Sequence, residues 1–291
     1  RRHLSDAVTL CRVADRCFRV MFGFSGLPRA DRGHHGGMIK SSYPLILSSL
    51  ILFSSAAYSG AREYAPNVVL IFTDDQGYGD LSCFGSAQVQ TPRIDRMATE
   101  GMRLTSFYVP APVCTPSRAG LMTGSYPKRV SLATGSDFGV LLDGDPKGLN
   151  PSEITIAEIL KKQGYATGIF GKWHLGDQLE FLPTRQGFDE YYGIPYSHDI
   201  HPFHTRQDHF QFPALPFFDG ETVIEMDPDA DFLTKRLTER AVDFIERHKD
   251  EPFFLYLPHP IPHRPLHVSP EFFDAVPDAV ADLIDAEREG F

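Results

Sequence analysis

Cys114 is followed by Thr115, Pro116, Ser117 and, one helical turn on, Arg118. Thr115 is suited to cap a helix and Pro116 to sit in its first turn, with Ala119 to Met122 continuing it. That places Cys114 at a helix N-terminus, where free N–H groups and the helix dipole favour anions. Arg118, four residues later, lies on the same face. The pattern reads as an oxyanion site with a nucleophile beside it, in which Cys114 would be a low-pKa thiolate. A buried structural cysteine is the alternative, and for an isolated Cys it is the commoner case.

Asp74 and Asp75 follow the apolar run Asn67 to Phe72. Adjacent carboxylates repel unless a cation sits between them, and all-oxygen ligation suits Ca2+ or Mg2+. The bland alternative is a turn with two solvated acids. Lys172 and His174 follow Ala166 to Phe170, and His259 and His263 follow Phe253 to Leu257. His198, His201, His204 and His209 lie in a Pro/Phe-rich stretch without ligand spacing, so they are not read as a transition-metal site.

The elements that must carry these residues alternate between strand-like and helix-like patterns, which implies α/β. The run at 67–72 reads as a buried central strand. Thr91, as cap, with Pro92 opens a helix to about Glu100, Thr155 to Gln163 forms a second, and Asp231 to Lys249 a third, with one face of Leu233, Leu237, Ala241, Phe244 and Ile245. The aperiodic stretch Asp199 to Asp227 reads as a long loop or insertion. Open α/β sheets bind ligands outside the carboxyl ends of their strands. Three strands delivering charged residues to one edge is therefore a site expectation from the pattern alone.

Charge divides the chain of 291 residues: positions 1–61 carry a net +5, and the remainder −15. An acidic body argues against nucleic acid as a partner. It also requires a local cationic pocket for any anionic substrate. Met38, Lys40, the apolar run Tyr43 to Phe53 and the small residues Ser54 to Ala61 have the order of a secretory signal peptide. The expected organisation is a non-native upstream extension at 1–37, a signal peptide at 38–61 and a catalytic domain at 62–291. The protein is expected to be secreted or periplasmic, without a stable membrane anchor after cleavage. Cys83 and Cys114 would remain in the mature chain, with Cys83 buried, and they do not make a disulfide framework.

The eleven residues Cys114 to Gly124 (CTPSRAGLMTG) resemble the sulfatase signature. Gly171 to Gly176 (GKWHLG) resembles the second signature, and Gly193 to Asp199 (GIPYSHD) is similar to a segment of the arylsulfatase A group. Pro262 to Leu266 resembles the family's later histidine motif, and Asp74 and Asp75 match its first calcium-ligand pair. The resemblance runs from about Asn67 to the end, in family order. It implies an alkaline-phosphatase-like sandwich, with a central, mostly parallel sheet flanked by helices. It implies hydrolysis of sulfate esters by a formylglycine made from Cys114 by a formylglycine-generating enzyme, with Ca2+ (Mg2+ less so) held by Asp74, Asp75 and residue 114. Arg118 and Lys172 would stabilise charge on the sulfate. His174 would act on the second hydroxyl of the hydrated aldehyde, His263 would contact sulfate or protonate the leaving alcohol, and Ser197 would hydrogen-bond the sulfate. Substrates would be sulfated small molecules or glycans.

The family pattern continues beyond His263 with an Asp-Asn pair, a second active-site Lys and a small C-terminal domain, which are not seen before Phe291. The expectation is of a catalytic domain truncated at the C-terminus, weak in calcium binding and nearly inactive alone. Two alternatives remain: a phosphoester or phosphonate hydrolase of the same superfamily, and a non-catalytic fragment.

Overall fold

The computed structural model describes residues 8–10, 65–273, 281–282 and 284–285. The expected signal peptide at 38–61, Cys11, Cys17 and nearly all of the 1–37 extension lie outside the described residues. Among the described residues, seven strands form one sheet in the order β1-β2-β7-β3-β4-β5-β6. They are β1 (Val8–Leu10), β2 (Val68–Phe72), β3 (Ala166–Lys172), β4 (Glu190–Ile194), β5 (Pro216–Asp219), β6 (Thr222–Met226) and β7 (Phe253–Pro258). The central four, β2-β7-β3-β4, are parallel, and the outer strands pair antiparallel.

Both faces of the parallel core are apolar, which is why its strands read as continuous hydrophobic runs. Leu70, Phe72, Ile169, Phe254 and Tyr256 pack on one face. There they meet Ala119 and Met122 of α2 (Cys114–Thr123) and Ala157 of α3 (Ile156–Lys162). Val69, Phe170, Phe253, Leu255 and Leu257 pack on the other, against Leu233, Leu237, Ala241 and Phe244 of α5 (Leu233–His248). The layered sandwich expected from the sequence is present. Remaining helices are α1 (Pro92–Glu100), α4 (Gln207–Phe210) and α6 (Pro270–Phe273). Among the described residues, no helix is long and apolar enough to cross a membrane.

Several local expectations need correction. The stretch 199–227 is not one loop: it holds α4 and the β5–β6 hairpin. Asp219-Gly220 is a hairpin turn signal, and Gly220 takes the positive φ of 62° that such a turn requires. Thr91 does not cap α1 through its side chain; its hydroxyl bonds Asp95 Oδ1 at 3.1 Å instead. The segment before α5 is a 3-10 turn (Ala230–Phe232) anchored by the Asp229 side chain. Thr155, by contrast, makes a full capping box with Glu158 at the start of α3.

Two glycines let the parallel strands close up at their carboxyl ends. A Cβ on Gly171 (φ 144°) would fall 2.0 Å from the Pro258 carbonyl oxygen. One on Gly193 (φ 157°) would fall 2.0 Å from the Gly171 carbonyl oxygen. Only glycine fits such an approach, and it occurs beside Lys172.

Candidate active site

Asp74 follows β2 and is 1% exposed. Lys172, the last residue of β3, is fully buried and donates from Nζ to Asp74 Oδ2. Arg118, from the second turn of α2, is also buried and brings Nη2 to 3.5 Å from the same oxygen. Its Nη1 donates to the Lys172 carbonyl at 2.8 Å, and its guanidinium lies over the Phe72 ring. Lys172 Nζ also donates to Ser197 Oγ at 2.9 Å. Residues 98 positions apart thus meet at one buried point.

Burial opposes ionisation of Asp74, but Lys172, Arg118 and His263 outweigh it and hold the carboxyl well below the usual range. Burial likewise opposes charge on Lys172, and Asp74 and Cys114 overcome it, so its pKa rises. The pair is ionised near neutral pH.

Cys114 opens α2, with Val113 in the capping position. The expected Thr115 cap is absent, because the Thr115 hydroxyl accepts from the Leu141 N–H at 3.1 Å. The expectation of a low-pKa thiolate is also overturned. Burial pushes the Cys114 thiol up, and Asp74 and Asp75 add to it against the pull of Lys172 and Arg118. An unmodified thiol here is a poor nucleophile. Cys83 and Cys114 are both free, and Cys83 is half-buried rather than fully buried.

His174 is buried in a left-handed backbone conformation (φ 60°). Its Nε2 lies 2.8 Å from the Leu141 carbonyl oxygen, so that nitrogen carries the hydrogen. Nδ1 is then a lone pair, buried without a hydrogen-bond partner. Burial, then Lys172, keeps the ring neutral by lowering its pKa well below the usual value. Asp75, also left-handed (φ 61°), has Oδ2 3.6 Å from His263 Nε2. Nδ1 of His263 donates to the Arg264 carbonyl at 2.6 Å. Left-handed non-glycine residues cost of order 1–3 kcal/mol and gather at functional sites. His259 Nδ1 is buried without a hydrogen-bond partner, and burial lowers its pKa to about 4.

The carboxyl ends of β2, β3 and β7 therefore converge as expected, and β4 adds a fourth contribution. Ser197, His198 and Asp199 follow it. Ser197 was singled out only through the resemblance, and Asp199 was not singled out at all. Its Oδ1 is buried without a hydrogen-bond partner. Charge from His263, Lys172 and His198 holds its carboxyl low despite burial. His198 bonds the Pro265 carbonyl through Nε2 at 3.0 Å and stacks edge-on against His263 and His267. Among the described residues, no group of three or more His, Cys, Asp or Glu is arranged to hold a metal.

A family model described as "Sulfatase" matches residues 66–288. Human arylsulfatase A is 42% identical over 226 residues, covering 72% of this chain and 43% of that protein. Human arylsulfatase G is 37% identical over 72% of this chain and 43% of its own length. Among solved structures, the PsFucS1 sulfatase from Pseudoalteromonas sp. superposes with a TM-score of 0.63 at 29% identity, covering 77% of this chain and 50% of that one. Ps i-CgsB in complex with k-i-k-neocarrahexaose gives 0.61 at 32% identity, over 77% and 53%. The chain spans about 43% of the length of the arylsulfatases it matches.

Proposed function

The chain belongs to the sulfatase family, and from that premise we propose that it hydrolyses sulfate esters, with residue 114 as the nucleophilic position. The observation that carries this reading is the buried Asp74–Lys172–Arg118 set at the base of the helix that Cys114 opens. It is preorganised charge beside a nucleophile, and a sulfuryl group in transfer needs stabilisation of that kind.

The CTPSRAGLMTG run at 114–124, inside the matched sulfatase region, supports conversion of Cys114. Formylglycine at 114 would supply a hydrated aldehyde whose hydroxyl attacks sulfur. Lys172 gives two of its three N–H groups to Asp74 and Ser197, and the third remains for a sulfate oxygen. Arg118 adds its charge from the helix side. His174, neutral with a free Nδ1 lone pair, accepts the proton that must leave for sulfate to be expelled. His263, at the rim with Nε2 toward Asp75, serves the leaving alcohol.

The carboxylates also speak for a divalent cation. Asp74, Asp75 and Asp199 outnumber the permanent cations Lys172 and Arg118, leaving the site one charge negative. A sulfate ester would be repelled unless a divalent ion reverses that sign. Asp74 and Asp75 are hard oxygen donors of the kind Ca2+ takes, as two members of a larger shell. The ion would supply charge at the sulfate.

The proposed substrates are sulfated glycans or aryl sulfates, and the glycan bound to Ps i-CgsB supports the former. The proposal extends to export through a signal peptide at 38–61 and maturation by a formylglycine-generating enzyme. The test is paired hydrolysis of 4-nitrophenyl sulfate and 4-nitrophenyl phosphate, by protein from a host that modifies sulfatases. Mass spectrometry of the peptide containing residue 114 accompanies it. Sulfate turnover with an aldehyde mass is expected; phosphate turnover with an intact thiol would overturn the proposal.

A further inference from the structure

Thr115 is fully buried in the first turn of α2, one residue after Cys114. Val113 holds the capping position there, so the Thr115 hydroxyl is not spent on the helix end. It accepts the Leu141 N–H at 3.1 Å instead. Leu141 is 2% exposed, and a buried N–H needs an acceptor within the protein. The carbonyl oxygen of the same residue lies 2.8 Å from His174 Nε2. One buried residue thus joins the helix that Cys114 opens to the imidazole that follows β3. Farther along, the same loop is tied by the Gly144 N–H to Asp177 Oδ2 at 2.7 Å and by the Leu149 N–H to the Leu175 carbonyl at 2.7 Å.

We infer that Thr115 is a positioning residue for His174: its hydroxyl oxygen fixes Leu141, and the Leu141 carbonyl then holds the hydrogen on His174 Nε2 and registers the ring against the helix of residue 114. The inference rests on the sulfate-ester reading, in which Nδ1 of His174 takes the proton, and it gives that reading a residue it lacked. Without the Thr115 oxygen, the Leu141 N–H is a buried donor with no acceptor, and leaving it so is costly enough that the residue turns toward another. Its carbonyl turns with it, and Nε2 loses the acceptor that keeps the hydrogen there. The hydrogen then divides between the two ring nitrogens, because the bond made by one sets the state of the other. A ring that carries it on Nδ1 has no lone pair at the position that must take the proton. The ties at Gly144 and Leu149 do not pass through Thr115, so the loop stays folded and the disturbance stays at Leu141.

The test compares Thr115→Val, which keeps the shape and removes the acceptor, with Thr115→Ser, which keeps the acceptor, both in the full chain. The first readout needs no turnover: NMR of protein labelled in the histidine ring nitrogens, with His174→Ala assigning the signal. The parent and Thr115→Ser should show His174 as a single tautomer with its hydrogen on Nε2, and Thr115→Val a mixture of the two. A Thr115→Val spectrum identical to the parent's would overturn the inference. The second readout is kcat and KM on 4-nitrophenyl sulfate, at equal residue-114 aldehyde content by mass spectrometry. Thr115→Val should lower kcat by about 10–100-fold with KM little altered, as a misplaced catalytic group does, and Thr115→Ser should stay within about threefold of the parent. In a His174→Ala background Thr115→Val should cost no further kcat, because the two residues act through one group. Losses that multiply would overturn the inference. If the unaltered chain turns over no sulfate ester, that result counts against the proposed function, and the tautomer spectra decide the role of Thr115. If Thr115→Val does not fold, Thr115→Ala replaces it in both readouts, and the comparison with Thr115→Ser has the same meaning.

Discussion

Arg118 Nη1 donates to the backbone carbonyl of Lys172 at 2.8 Å, from a helix on one face of the sheet to the last residue of a central strand. The two like charges are thereby held side by side, with Asp74 as the counter-ion for both. Removing that counter-ion leaves two buried cations facing each other. Asp74→Ala should therefore destabilise the fold by about 3–5 kcal/mol, the usual cost of breaking a buried pair. Urea denaturation measures it; a loss below about 1 kcal/mol would show that the cations relax to solvent.

Gly171 sets how closely β3 approaches β7. A methyl group there meets the Pro258 carbonyl oxygen at 2.0 Å, and the φ of 144° is strained for any L side chain. Gly171→Ala should cost well over 1 kcal/mol. Gly139→Ala, where a Cβ meets nothing within 4 Å, is the matched control and should be nearly silent. Equal melting shifts for the two variants would remove the argument that this close approach builds the site.

Much of the site was legible because buried parallel strands are written as apolar runs, and charged residues directly after them have one destination. Asp74, Lys172, His174 and His263 were found that way. Ser197 and Asp199 were harder, because β4 (EYYGI) begins with Glu190 and carries Gly193, and so lacks the apolar signature. The β5–β6 hairpin was hidden by prolines and phenylalanines around its Asp219-Gly220 turn. The low-pKa expectation for Cys114 failed for a different reason. A helix N-terminus is readable from Thr-Pro-Ser, but burial is a property of the packed molecule.

Asp145 ties down the loop that carries Leu141. Its carboxylate accepts from the Ser136 N–H at 2.8 Å, the Ser136 hydroxyl at 2.6 Å and the Lys147 N–H at 2.9 Å. Burial pushes its pKa up, but these bonds prevail and hold it below the usual carboxylate range. A depressed folded pKa adds stability that is complete above the unfolded value, about 3.9. That stability is lost as pH falls through the lower folded value. Asp145→Asn should accordingly lower stability at pH 6 and flatten its decline below about pH 4. Urea midpoints measured from pH 6 to pH 3 check this; parallel curves for the two proteins would exclude the linkage.

His174 owes its reactive form to the same loop. The Leu141 carbonyl takes the Nε2 hydrogen, which leaves Nδ1 as the only nitrogen able to accept a proton. Burial and Lys172 keep the ring neutral, so that lone pair persists across the neutral range. If expulsion of sulfate needs that base, His174→Ala should lower kcat on 4-nitrophenyl sulfate by about 10²–10⁴-fold. KM should change little, because the cations that bind the anion remain. Mass spectrometry must first show the same residue-114 aldehyde in variant and parent, since a failure of maturation would also abolish turnover. With the aldehyde present, trapping of sulfated enzyme after a single burst would place the lost step at sulfate release. A His174→Ala enzyme within threefold of the parent would mean that water or another group accepts the proton, and that the Leu141–His174 contact serves only the fold.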